Sequence, residues 1–425
     1  MPCQKGRLVS RLDVLHGCRL SPTFTFDIPR HCTCYNATLV VMRFLSMAPW
    51  RLSRASLVLS GLLFTGTWFV SCASYPRIPV NGQLAGKPVS TTVDSAAAKD
   101  YLQSLQPSNQ SAGIEQRYRS YRLDWQKLRM ISHQVSPDFA ALFLVKRLLS
   151  NRTNATFQAE YLAETKRIKS ELQRHRWSEI AQPALKQYEV LFVPGFHYVT
   201  DPTSGADFAH QRQFFEELGI KVRLIRTEED GTVEANAAII AANLRSRRQG
   251  NDKILLVSSS KGGPEVALAL GKLLSPDETT PVKAWISVGG LFRGTPLADF
   301  ATRWPQSWIV RLMFLYSRTG FQSLPGLTTK VSQARLDKIK IPARIMLIEY
   351  IAVPLSGDIY GSVTRRYLRL RKDGPNDGLT LLADELLPNG ISVIEPGLDH
   401  FYDAPDIEAK SLALANVAAE ALANH

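Results

Sequence analysis

Cysteine runs out early in this chain of 425 residues. Cys3, Cys18, Cys32 and Cys34 fall before Met42, the fifth and last is Cys72, and the long remainder has none. Cys32-x-Cys34 has no matched second pair, so the spacing of a thiolate metal site is missing. Histidine is sparse as well: of eight, only His400 and the terminal His425 follow Ser260. The apolar stretch Ala55–Val70 is about sixteen residues, short of the ~20 that cross a bilayer as a helix. Charged residues are 21% and hydrophobic ones 45%, which is the balance of a globular protein and excludes a disordered one. The net charge of +13 divides into +6 up to Ser71 and +7 beyond it, so nearly half the basic excess sits in the leader. Arg245-Ser246-Arg247-Arg248 and Arg369-Leu370-Arg371-Lys372 are short and read as solvated faces, with no nucleic-acid partner.

From Met47 the chain runs through basic Arg51 and Arg54, the apolar stretch and Ser71-Cys72. A basic n-region, an apolar h-region and a small residue before a cysteine resemble a bacterial lipoprotein signal, with Phe69-Val70-Ser71-Cys72 as the lipobox. The resemblance implies translation from Met42 or Met47, cleavage before Cys72 and lipidation of that residue. It places the protein on a bacterial membrane, at the periplasmic face of the outer membrane, and residues before the start are then an over-extended leader. A single transmembrane anchor is the alternative. Asn109-Gln-Ser, Asn151-Arg-Thr and Asn154-Ala-Thr fit the glycosylation pattern and matter only in a eukaryotic host.

Residues 72–114 are rich in Pro, Ser, Gly and Ala and read as a tether, with a short helix near Ser95–Leu105. Residues 115–187 read as a helical N-terminal extension. Phe139, Leu142, Phe143, Val145 and Leu148 recur at helical spacing and are expected to be core, and the charged run Ala159–Arg176 is expected to be an exposed helix. From Tyr188 apolar runs of strand length alternate with helical patterns: strands at Val190–Val193, Ile220–Ile225, Ile254–Val257, Val282–Val288, Arg344–Ile351 and Ile391–Ile394, with a closing helix over Ile407–Leu422. That alternation predicts a mostly parallel sheet wound on both faces.

The third of these strands ends in Ser258-Ser259-Ser260-Lys261-Gly262, and an apolar helical pattern resumes at Val266. Small residues two positions to either side of Ser260 allow the close backbone approach that a sharp strand-to-helix turn requires. The stretch resembles the nucleophile elbow of the α/β-hydrolase family, with Ser258 where the first Gly usually stands. The likeness covers about residues 188–425. It implies an α/β-hydrolase fold with Ser260 as nucleophile and the backbone N–H of Lys261 as one oxyanion donor. Pro194-Gly195-Phe196-His197 sits where the family carries its second donor, the N–H of Phe196; His197 itself reads as pocket lining. The base must follow the elbow. His400, directly after the last strand, is the candidate, since the terminal His425 has nothing to fix it. Asn376-Asp377-Gly378-Leu379 resembles the turn that carries the triad acid in bacterial lipases. Asp358 and Asp384 are the alternatives, and Asp399 is assigned to loop hydrogen bonds.

Gly294-Thr295-Pro296-Leu297-Ala298-Asp299 resembles a further segment of bacterial triacylglycerol lipases. The apolar, aromatic stretch after it makes residues 291–340 a candidate cap or lid, over an acyl chain or as plain packing. Lys261 is expected to pair with Glu265 one helical turn on. His197, Asp201, Asp207 and His210 match no standard zinc spacing, and no metal or organic cofactor is implied. The reading is therefore a serine esterase or lipase acting on a small-molecule or lipid ester. Two rivals stand beside it: a non-catalytic envelope scaffold of the same fold, and an amide or thioester hydrolase with the same triad.

Overall fold

The computed structural model describes residues 75–104, 113, 116–118, 124–247, 253–316 and 320–424. The leader and Cys72 lie outside these residues. The first described element corrects the tether. Strands β1 (Ile78–Leu84) and β2 (Lys87–Val93) pair antiparallel, and helix α1 (Ala96–Ser104) follows. Beneath the polar composition, Val80, Leu84 and Val93 are buried and pack with Ala98, Tyr101 and Leu102 of α1. Pro79 and Pro88 fit because, among the described residues, each strand of this two-stranded ribbon pairs with another strand on one side only.

Helices α2 (Trp125–Gln134), α3 (Pro137–Leu149) and α4 (Arg152–Gln173) come next. Asp124, Ser136 and Asn151 cap them by accepting backbone N–H bonds in the first turn. Phe139, Leu142, Phe143 and Val145 are buried, as core residues should be. Helix α4 departs from the expectation of an exposed helix: Phe157, Tyr161 and Ile168 are buried. Its inward Asn154, Gln158 and Glu164 are hydrogen-bonded to partners elsewhere in the chain, which is what the charged sequence hides.

The main sheet is built from β3 (Tyr188–Val193), β4 (Lys221–Leu224), β5 (Lys253–Ser259), β6 (Val282–Val288), β7 (Met346–Val353) and β8 (Ile391–Pro396). All neighbours are parallel, in the order β4-β3-β5-β6-β7-β8. The connecting helices are α5 (Ala209–Glu217), α6 (Val233–Arg245), α7 (Gly262–Leu268), α8 (Pro296–Thr302), α9 (Gln306–Tyr316), α10 (Thr329–Leu336) and α11 (Thr364–Leu370), and α12 (Ile407–Ala423) closes the chain. The continuous apolar runs of the strands are two interleaved faces. On β5, Leu255 and Val257 join one core with Val190, Phe192 and the Ala-rich face of α12, whereas Ile254 and Leu256 join the other with Leu191, Val193 and helices α6 and α7. The edge of β8 is covered by α4. Gln158 exchanges bonds with the Ile394 N–H and C=O (2.8 and 3.1 Å), and Asn154 accepts from the Ser392 N–H (3.1 Å).

Strand order reverses at β3. From it the chain steps outward to β4, then returns to pair β5 on the other side. In open parallel sheets this leaves a crevice at the carboxyl ends of the two strands that flank the switch. The loops beginning at Pro194 and at Ser260 both open there.

Candidate active site

Ser260 follows β5 at φ 51°, in the left-handed region that a residue with a side chain seldom adopts. Its backbone is held on both sides: its N–H donates to the Val288 carbonyl (2.9 Å), and its own carbonyl accepts from Gly263 (3.0 Å) and Leu291 (3.3 Å). The turn is tight enough to dictate Gly262. A Cβ there would lie 2.8 Å from the Pro194 carbonyl oxygen and 3.1 Å from that of Val193. The departure at Ser258 has a local cause. Its hydroxyl is fully buried and accepts the indole N–H of Trp285 at 2.9 Å, a bond that glycine would leave unmade.

His400 arrives on the loop after β8. Its Nε2 lies 2.9 Å from Ser260 Oγ, and its Nδ1 meets Asp377 Oδ2 in a short contact. The other carboxylate oxygen of Asp377 accepts the N–H groups of Leu379 (2.8 Å) and Thr380 (2.7 Å), and the His400 N–H donates to the Asp377 carbonyl at 3.0 Å. Asp377 is fully buried and His400 nearly so. The three side chains that the sequence singled out therefore form one hydrogen-bonded chain at the crevice. The chain has the α/β-hydrolase fold. A parallel sheet, a strand–turn–helix elbow with Ser260 at its tip, and a histidine after the last strand together define it.

No family model matches the sequence, and no curated protein matches it. Among solved structures it is similar to a metagenomic carboxyl esterase, at 25% identity and TM-score 0.46, over 57% of this chain and 77% of that one. It is also similar to a mature lipase of Bacillus licheniformis, at 22% identity and TM-score 0.42, over 52% and 88%. Against a lipase of Staphylococcus hyicus the figures are 12% and 0.42, over 56% and 95%.

The loop after β3 lies against the elbow. Gly195 donates to the Ala206 carbonyl (2.9 Å), and a Cβ on it would sit 3.3 Å from Ser259 Oγ. The Phe196 ring stands 5.8 Å from Lys261 Nζ. So the structure brings together the two segments from which the Phe196 and Lys261 donors were expected. Lys261 pairs with Glu265 at 2.8 Å, and both are almost fully buried. Asn236 donates to the same Glu265 oxygen (2.8 Å), and Lys261 Nζ also reaches the carbonyls of Glu228 (3.5 Å) and Glu229 (3.3 Å). Burial pushes the Glu265 carboxyl up to about 7 against the opposing pull of Lys261.

The alternative acids stand apart from the His400 imidazole contact that Asp377 makes. Asp358 accepts the Leu355 N–H at 2.8 Å, Asp384 is buried in the turn at 382–385, and Asp399 accepts the Phe401 N–H at 3.0 Å in its own loop. His197 lies 3.2 Å from Thr200 Oγ1 and 3.7 Å from Asp230. With Glu229 and Asp230 it forms a group whose ligand atoms fall within 4.8 Å of one another, a set different from the four residues weighed in the sequence. Glu229 Oε2 there accepts the Val199 and Thr200 N–H groups, and Asp230 Oδ2 accepts from Gly320, so these oxygens already serve the loops.

Two supports were not visible in the sequence. Gly289, at φ 56°, leaves room for the imidazole: a Cβ there would lie 3.3 Å from His400 Cε1. The Tyr402 hydroxyl ties the histidine loop to β7, donating to the Tyr350 carbonyl (2.6 Å) and accepting from Ala352 (2.9 Å). The segment expected as a cap holds α8, α9 and α10. Along α9 and its approach, Trp304, Trp308, Ile309, Leu312 and Leu315 are exposed. Among the described residues no helix is long and apolar enough to cross a membrane.

Proposed function

We propose that the protein is a serine hydrolase that cleaves carboxylic esters through an acyl-enzyme. The observation that carries this reading is the continuous chain Ser260 Oγ to His400 Nε2 and His400 Nδ1 to Asp377, at the tip of a strained elbow. A buried carboxylate facing Nδ1 keeps the proton on that nitrogen, so Nε2 is left to accept the hydroxyl proton of Ser260. The Ser260 oxygen then adds to the ester carbonyl, and the imidazolium that forms is stabilised by Asp377. In this reading the backbone N–H groups of Lys261 and Phe196 receive the developing oxyanion; such a donor contributes ~3 kcal/mol in well-studied cases. His400 returns the proton to the departing alcohol. Water enters by the reverse of these steps and releases the acid.

The apolar outward face of α9 favours a lipid-like ester over a small polar one, since large exposed apolar patches mark surfaces that meet apolar partners. The chain-length profile of p-nitrophenyl ester turnover tests this. Medium or long acyl chains should be favoured, and Trp308→Ser with Leu312→Ser should reduce that preference while leaving acetate hydrolysis intact. Equal losses on all chain lengths would contradict it. Membrane attachment through a lipid on Cys72 belongs to the same proposal and rests on the signal-like sequence before it. Cys72→Ser should move the protein from the membrane fraction to the soluble one; an unchanged distribution would refute the anchor.

A further inference from the structure

Behind the proposed triad lies a cluster of buried acids. Glu349 on β7, Asp377, and Asp384 and Glu385 in the turn 382–385 are all at least nine-tenths buried. Arg293 is the guanidinium set against them. It donates to the carbonyls of Ala383 (3.2 Å) and Leu386 (2.7 Å), and its charge favours the ionised forms of Glu349 and Asp384. Glu349 also has donors of its own, the Leu387 N–H (2.5 Å) and the Ser392 hydroxyl (3.3 Å).

Glu385 differs from Glu349 and Asp377, which have donors. It is fully buried, and among the described residues no N–H or O–H group donates to either of its oxygens. The Asp377 carboxylate is the charge that bears on it most. An ionised carboxylate cannot persist there: it would be desolvated, without donors, and pressed against a second negative charge. A neutral carboxyl resolves all three problems at once, because its O–H becomes a donor and Asp377 is the acceptor beside it. Burial above all, then the charges of Asp377, Glu349 and Asp384, hold the Glu385 carboxyl well above the usual carboxylate range.

We propose that Glu385 is a fourth, positioning member of the site, a neutral carboxylic acid whose O–H donates to Asp377 and holds that carboxylate against His400. No proton is transferred in this role. It stays on Glu385 through the reaction, as in other enzyme sites that keep a carboxylic acid neutral so that it can donate. Asp377 then receives four donors: the Leu379 and Thr380 N–H groups on one oxygen, His400 Nδ1 on the other, and Glu385. The groups that face Glu385 are Asp377 from the triad-acid turn, Glu349 from β7, Asp384 from its own turn and the Tyr402 hydroxyl from the histidine loop. When Glu385 loses its proton at alkaline pH, two carboxylates confront each other and the orientation of His400 is lost. This inference rests on the serine-hydrolase reading of Ser260, His400 and Asp377.

The test is the pH dependence of kcat and KM on a soluble p-nitrophenyl ester, with the rate of fluorophosphonate labelling, for wild type, Glu385→Gln, Glu385→Leu and Ser260→Ala. Glutamine keeps an N–H donor and cannot ionise. Its variant should stay within about threefold of wild type at neutral pH and lose the alkaline decline. Leucine removes the donor, so kcat and labelling should fall together by roughly tenfold to a hundredfold with KM little changed, the loss expected for a hydrogen bond to a charged group. A glutamine variant as slow as the leucine variant, or one that declines along the wild-type alkaline limb, overturns the role. So does a leucine variant with wild-type kcat. If Glu385→Leu does not fold, the alkaline limb of Glu385→Gln still decides. Should Ser260→Ala keep wild-type turnover, the triad reading falls and this role with it. A dead Ser260→Ala beside a wild-type-like Glu385→Leu removes only Glu385.

Discussion

Replacing Lys261 by methionine separates its side chain from its backbone. The ammonium is 2% exposed and the partner Glu265 carboxylate 1%, so the pair is desolvated and its loss cannot be made good by water. Removing one partner of a buried pair costs about 3–5 kcal/mol. For a unit of roughly 350 residues the entropy of unfolding is about 0.7 kcal/mol per degree, so that cost lowers Tm by about 4–7 °C. The sign with pH follows from Glu265. Its folded-state value of about 7 is raised above the ordinary 4.5, and Lys261 is the foremost influence pulling it down. Without Lys261 it rises further. A raised carboxyl is a source of stability that is lost as pH climbs from the unfolded value through the folded one. Lys261→Met should therefore destabilise most above pH 7 and least near pH 5, where Glu265 carries its proton and the lysine would itself be an unpaired buried cation. Lys261→Met combined with Glu265→Leu should recover most of the loss, as apolar replacements of buried pairs do. Ester turnover should be retained, because the oxyanion reading uses the Lys261 backbone N–H, which methionine keeps. The assay is thermal unfolding from pH 5 to 9 beside ester hydrolysis. A penalty that is flat with pH, or a double variant no better than the single one, would refute the reasoning.

Gly262→Ala should place a methyl against the Pro194 and Val193 carbonyls, both backbone, and so push the elbow away from the Phe196 loop. Steady-state kinetics should show kcat down by roughly tenfold to a hundredfold with KM little changed; an unimpaired kcat would contradict the close approach. Burial pushes Glu349 up to about 8 from an ordinary 4.5. Wild type should accordingly lose stability relative to Glu349→Gln as pH rises from 5 to 9, and parallel Tm curves for the two proteins would count against it.

Much of this was written in local sequence. The parallel sheet followed from apolar runs of strand length, and Ser260 from the need for small residues around a tight turn. His400 was constrained because so few histidines follow the elbow. What escaped notice depends on contacts distant in sequence. The hairpin at 78–93 looked like a tether because it lies within the Pro-, Ser-, Gly- and Ala-rich stretch 72–114, while the buried apolar side chains that decide it, Val80, Leu84, Ala85 and Val93, are few and scattered. Helix α4 looked solvated because its buried face is lined with Asn154, Gln158 and Glu164, which satisfy backbone and side-chain partners from the far end of the chain. Glu385 gave no signal, since nothing local tells a buried, protonated glutamate from a surface one. Ser258 looked like an imperfect elbow until Trp285 supplied the reason for its hydroxyl.

The most direct measurement is fluorophosphonate labelling of the purified protein, wild type beside Ser260→Ala, His400→Ala and Asp377→Ala, with p-nitrophenyl ester turnover followed in parallel. Wild type should take one label with loss of turnover; Ser260→Ala should take none, and His400→Ala and Asp377→Ala should label and turn over far more slowly. A folded wild type that takes no label, or a Ser260→Ala variant that labels and hydrolyses as wild type does, would contradict the assignment of Ser260 as the nucleophile.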